Sequence, residues 1–194
     1  PSISIVAHPV RVIGKEQIIG SSDIYPKIGN MNDLLNLGMY FTNSSTMYRL
    51  RDRFVHNLND KIVDYYKFIE LSSKGDIYLC NEVYGEYRIH NEGISKNKEY
   101  FDLIRSCYDS AFELALNLGC DESVVGRAKV NRRVKVAISA LLSGDFNAFR
   151  KYITTQNKEP FININHRILS AVRRVNFILK VIVLVHKYKV KRSQ

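Results

Sequence analysis

The chain has 194 residues, of which 45% are apolar and 25% charged. That is the composition of a globular protein with one domain or one and a fraction, and it excludes a fibrous or disordered class. A formal net charge of +10 points to a polyanionic partner: nucleic acid, an anionic membrane or phosphorylated substrates. The three cysteines, Cys80, Cys107 and Cys120, show no CxxC or Cys/His metal spacing, which argues against a zinc or disulfide framework and for reduced thiols in a cytosolic protein.

In chain order, Ser2 to Ile13 (SISIVAHPVRVI) is β-branched and partly alternating, so it predicts a strand interrupted at Pro9. The start carries no basic segment before an apolar run, so it does not read as a signal peptide. Residues 14–30 read as a loop punctuated by Gly and Ser. MNDLLNLG predicts a short helix stopped by Gly38. Met39 to Arg49 reads as a strand entering a polar turn. Asn59 or Asp60 is the expected cap of a helix carrying Ile62, Val63, Tyr66, Ile69 and Leu71, ended at Gly75. Asp76 to His90 predicts one or two strands. Along its end, Tyr84, Glu86, Arg88 and His90 alternate with Val83, Gly85, Tyr87 and Ile89, and Asn91, Glu92 and Gly93 close the stretch as a loop.

From Lys98 onward the pattern is helical only. Tyr100, Ile104, Cys107 or Tyr108, Ala111, Ala115 and Leu118 keep helical spacing up to Gly119. Asp121 caps a second helix that runs to Gly144, Asp145 starts a third, and Asn163 or Asn165 starts a fourth. The composition break divides a mixed α/β part, residues 1–97, from a helical part, residues 98–194. No stretch reaches the roughly 18 apolar residues that a membrane span requires.

The tail, residues 161–194, has eight Lys and Arg residues and no Asp or Glu. Ile168, Ala171, Val172, Val175, Leu179 and Ile182 form one apolar stripe, and Arg173, Lys180 and Lys187 share another face. Two readings stand side by side. The stripe lies on an anionic membrane surface, or it packs on the preceding helices with a solvated basic side.

Three features of the first half could carry chemistry: TNSSTMYR (42–49), VDYYKFIELSSKGDIYL with Asp64 near a helix start, and YGEYRIHNEGIS (84–95). An arginine and a histidine two apart, with a glycine turn and a serine behind them, suit an anion. In order and character these segments resemble the acceptor half of the family-2 inverting glycosyltransferases, enzymes of the GT-A nucleotide-sugar fold. The matching stretches are NSSTMYR (43–49), DYYKFIELSSKG (64–75), DIYLCNEVYGEYRIH (76–90) and NEGIS (91–95), and the resemblance covers about residues 1–95.

The resemblance implies an α/β fold: part of a GT-A-type mixed sheet, lacking the nucleotide-binding N-terminal half, followed by the helical region. It implies transfer of a sugar from a nucleotide-sugar donor to a glycan or lipid-linked acceptor, as in the building of cell-envelope polysaccharide, in the cytoplasm or at the inner face of the membrane. Asp64 matches the catalytic base. Arg88 and Ser95 match contacts to the donor diphosphate, with Arg49 as a further candidate, and His90 matches a position that approaches the metal or the diphosphate. A divalent cation, Mg or Mn, is expected in the complete enzyme, where an Asp-x-Asp would hold it. No such motif lies in this chain, which implies a fragment or a shortened relative that is inactive alone. Val63 also departs from the acidic residue that often precedes the base.

Each residue has an ordinary structural reading as well. Asp64 could be a first-turn acid facing the helix dipole, Arg88 and His90 a solvated strand edge, Ser95 a turn residue and Arg49 a structural cation. The competing function is a non-enzymatic basic module that binds nucleic acid or an anionic membrane surface. Nucleic acid is the weaker partner, because the aromatics are spread along the chain and neither a helix-turn-helix nor zinc spacing appears.

Overall fold

The computed structural model describes residues 2–49, 64–89, 98–154 and 164–192. Among them are seven α-helices and two small mixed sheets, in keeping with the coarse α/β class that the sequence predicts. By packing, the chain divides into two units, Pro1–Val125 and Gly126–Gln194. The composition break at residue 98 is a different boundary, because the first long helix packs within the strand-bearing unit.

In the first unit, Ile3–Ala7 (β1) and Val10–Val12 (β2) are the two halves of the opening stretch, separated at His8 and Pro9. Residues 14–30 hold two short strands that sequence reading assigns to loop, Ile18–Ile19 (β3) and Ile28–Gly29 (β4). Two residues are too few to show a period, so only pairing reveals them. Helix Met31–Leu37 (α1) matches expectation, with a capping box between Asn30 and Asp33.

The expected strand over 39–49 is shorter. Asn43–Ser45 forms a 3-10 turn and only Thr46–Tyr48 (β5) is extended. Hydroxyl bonds explain the turn: Ser45 Oγ donates to the Thr42 carbonyl at 3.0 Å and Thr46 Oγ1 to the Asn43 carbonyl at 2.7 Å. Then come Asp64–Ser72 (α2), Asp76–Leu79 (β6) and Gly85–Tyr87 (β7). Asn59, Asp60, Ile62 and Val63, expected to open the helix, lie outside the described residues.

One sheet has the order β4-β6-β1-β5. Its centre is the parallel pair β1 and β6, flanked by antiparallel β4 and β5. The second has the order β3-β2-β7, with β2 and β7 parallel. Both sheets are therefore built on the same two stretches of chain. The parallel pair runs through β1 and β6, breaks at His8–Pro9 and at residues 80–84, and resumes as β2 and β7.

Ile5, Ala7, Ile77 and Leu79 are buried with Leu34 and Leu35 of α1 and Tyr65, Phe68, Ile69 and Leu71 of α2. The inward residue of the Tyr-Tyr pair is Tyr65, not the expected Tyr66, since adjacent tyrosines satisfy two helical registers equally well. Tyr65 stacks on Tyr108 at 4.4 Å between ring centroids and donates to the Leu34 carbonyl at 3.3 Å. Tyr108 belongs to Lys98–Asn117 (α3), which ends at Gly119 in the left-handed region, φ 84°.

Glu122–Ser143 (α4) follows Asp121, whose carboxylate accepts from the Ser123 amide at 2.7 Å. In the second unit, Asp145 caps Phe146–Ile153 (α5), accepting from the Ala148 amide at 2.9 Å. The expected single last helix is two, Ile164–Val172 (α6) and Asn176–Arg192 (α7), broken at residues 173–175. Arg150 of α5 holds that break: its Nε donates to the Arg173 carbonyl at 3.1 Å and its guanidinium also bonds Asn176 Oδ1. The core of this unit joins Val130, Val134, Ala137 and Leu141 of α4, Phe149 and Ile153 of α5, and Leu179 and Val183 of α7.

The break corrects the tail stripe. Val172, Leu179 and Ile182 do pack on the helical core, but Ile168, Ala171 and Val175 are exposed. A wheel drawn through one continuous helix runs across a turn that resets the phase.

Candidate functional site

The carboxyl ends of β1 and β6 make one edge of the first sheet. The amide of Cys80, just after β6, donates to the Ala7 carbonyl at 2.8 Å. Because β5 runs the other way, with Thr46 facing Ala7, the turn Asn43–Ser45 comes to this same edge. The amide of His8 donates to the Ser45 carbonyl at 3.1 Å and fixes the turn there. In open α/β sheets, ligands bind outside the carboxyl ends of parallel strands.

Helix α2 precedes β6 and packs on β1 and α1. At its C-terminal end the chain turns at Gly75, so tightly against Ser2 that a Cβ there would lie 2.0 Å from the Ser2 carbonyl oxygen. The opposite end of the helix, which begins at Asp64, faces the carboxyl edge. Lys67, one turn in, closes the arrangement: its Nζ donates to Asn43 Oδ1 at 2.6 Å and stands 4.0 Å from Asp64 Oδ1. The Lys67 ammonium also lies 4.6 Å from the Phe68 ring centroid and 5.4 Å from that of Tyr48.

Asp64 is therefore partly open, its side chain 42% exposed and that of Lys67 20%. Burial raises the Asp64 carboxyl above the ordinary aspartate range, and the Lys67 charge opposes the rise. Burial lowers Lys67, and Asp64 opposes that. A carboxylate whose proton affinity is raised by burial, on an open edge, is a stronger proton acceptor than a fully solvated one.

The other sequence candidates fall elsewhere. Arg49 is exposed just after β5, past the point where Tyr48 faces Ile5, so it lies along the sheet and not at its carboxyl edge. Arg88 is exposed just after β7, on the second sheet, where Tyr87 accepts from the Ile13 amide at 3.1 Å. Among the described residues no hydrogen bond or ion pair joins Arg49 or Arg88 to Asp64. His90 and Ser95 lie outside the described residues. The structure thus brings Asp64 to the Asn43–Tyr48 segment, two motifs that the sequence separates by about 20 residues.

Sequence reasoning missed Lys67 and Asn43. Lys67 had a signal, its three-residue spacing from Asp64 on a helix. Asn43 had none, since its part depends on a contact across 24 residues of chain.

Among the described residues no group of three or more His, Cys, Asp or Glu is placed to hold a metal ion. Among the described residues, the charged group beside Asp64 is the Lys67 ammonium. No family model, no curated protein and no solved structure matches this chain.

Proposed function

We propose that this chain is the acceptor-side part of an inverting glycosyltransferase of GT-A type, with Asp64 as the general base. The observation that carries the reading is the partly open Asp64 carboxylate at the N-terminal end of α2, beside the carboxyl edge of the parallel pair β1 and β6. Two of the four segments that resemble the family-2 enzymes, NSSTMYR and DYYKFIELSSKG, meet there through the contact of Lys67 with Asn43.

In this reading the acceptor is a glycan or lipid-linked hydroxyl at the sheet edge. Asp64 takes the hydroxyl proton as the oxygen attacks the anomeric carbon of the nucleotide sugar. The bond from that carbon to the diphosphate breaks on the opposite face, and the configuration inverts. Negative charge grows on the departing nucleoside diphosphate, and Arg88 is the residue assigned to receive it, with a planar fork suited to phosphate oxygens. Asn43 and Lys67 hold the base in place. The described residues do not fit a divalent cation, and no step here is routed through one.

The test is sugar transfer by the natural protein that carries this chain, across a panel of nucleotide sugars. Asp64→Asn should lower turnover about 10²–10⁴-fold while leaving nucleoside diphosphate affinity in place. Arg88→Ala should weaken both. Ordinary turnover in the Asp64 variant would overturn the assignment.

A further inference from the structure

Helix α7 has two apolar faces. Leu179 and Val183 are buried in the core of the second unit, with Ile182 beside them. A second row, Phe177, Val181, Leu184 and Tyr188, follows at spacings of four, three and four, the signature of one helical face. It faces outward: Phe177 is 76% exposed, Val181 40%, Leu184 65% and Tyr188 56%, and exposed Ile178 and Val185 widen the row. Burying one stripe is enough to hold a helix to its unit. A second contiguous apolar face left at the surface marks an interaction site.

Charge selects the occupant. Lys180 is exposed on the flank of this row. Residues 161–194 hold eight basic and no acidic residues. A second copy docked stripe to stripe would set two such basic flanks together with no carboxylate from either tail between them. A nucleic acid would meet the charge and leave the aliphatic row in water. An anionic lipid surface meets both, since its acyl boundary takes the apolar row and its headgroups take the lysines.

We propose that α7 docks this protein on an anionic membrane surface, lying in the interface plane with Phe177, Val181, Leu184 and Tyr188 at the acyl boundary and the Lys180 flank among lipid phosphates. Among the described residues no helix is long and apolar enough to cross a membrane, so this contact is peripheral. It stands apart from the glycosyltransferase reading, and neither depends on the other.

The test is co-sedimentation of the full chain with mixed phosphatidylcholine and phosphatidylserine vesicles, beside pure phosphatidylcholine vesicles. The wild type should pellet with the anionic vesicles and not with the neutral ones. Phe177→Gln combined with Leu184→Gln should lower partitioning about tenfold or more, at unchanged Tm because both positions are exposed. The chain has no Trp, so Phe177→Trp provides a single reporter whose emission should shift to the blue on vesicle binding. Failure of the wild type to pellet would overturn the proposal, as would unchanged pelleting of the double variant or an unshifted Trp signal in pelleted protein. A lipid-independent dimer that the double variant dissolves would assign the face to a second copy instead.

Discussion

Lys67 donates to Asn43 Oδ1 at 2.6 Å, and this bond ties the first turns of α2 to the 3-10 turn ahead of β5. The neighbouring ion pair with Asp64 is longer, 4.0 Å, and partly solvated. Pairs of that kind contribute little stability. What the lysine adds is position. Held by Asn43 and lying over the Phe68 and Tyr48 rings, its charge stays close to a carboxylate that could otherwise turn toward water.

That arrangement sets the direction of a pH dependence. Burial is the larger influence on Asp64 and raises its pKa, while Lys67 lowers it. A base must be ionised to act, so transfer should fall as pH drops through a point above the ordinary aspartate range. Lys67→Met removes the opposing influence, and the acid limb should move to still higher pH. Stability follows the linkage sign for a raised carboxyl. The folded chain holds this proton more tightly than the unfolded one, so ionised Asp64 opposes folding, and that opposition disappears as pH falls through the folded pKa. Carboxyl-carbon NMR of Asp64 in both proteins reads the same shift without turnover, and a downward movement in the Lys67 variant would count against the coupling.

Gly75→Ala should be severely destabilising. The added methyl would lie 2.0 Å from the Ser2 carbonyl oxygen and 3.0 Å from its carbonyl carbon, backbone atoms that cannot swing aside. The start of β1 and the α2–β6 turn must separate, which breaks the bond from the Asp76 amide to the Ser2 carbonyl. Overpacking of this kind costs about 1–3 kcal/mol or more, to be read as a fall in Tm by calorimetry. Gly126→Ala, where the Cβ meets nothing within 4 Å, is the control and should leave Tm unchanged or slightly raised.

Two phenylalanines of the second unit should behave in opposite ways. Phe149 is fully buried between α4 and α7 residues, and Phe149→Ala should cost about 3–5 kcal/mol in chemical denaturation. Phe177 is 76% exposed, and Phe177→Ala should stay within about 0.5 kcal/mol. Equal losses at the two positions would mean that the outer face of α7 is packed in solution.

The long helices were legible because their punctuation is local. Gly38, Gly119 and Gly144 stop helices where positive φ is needed, and Asp121 and Asp145 cap the next ones with their own side chains. The parts that were missed depend on partners far along the chain. Strands β3 and β4 exist only as pairing partners, and Asn43 matters only because Lys67 reaches it. The break between α6 and α7 carries neither Gly nor Pro. It is held by Arg150 from another helix, so nothing in residues 161–194 announces it.

The pairing of β1 with β6 sets Ile3 opposite Asp76. A ribosome makes β1 first, and the strand then waits for more than 70 residues before its parallel partner exists. During that interval ISIVA, a β-branched segment without charge, is an open template for strands of other chains. The long wait also makes closure of the first unit a non-local step, slower than the helix-to-helix contacts of the second. Newly made protein is thus most prone to aggregate before residue 79 emerges, and a translation pause ahead of β6 would lengthen that exposure.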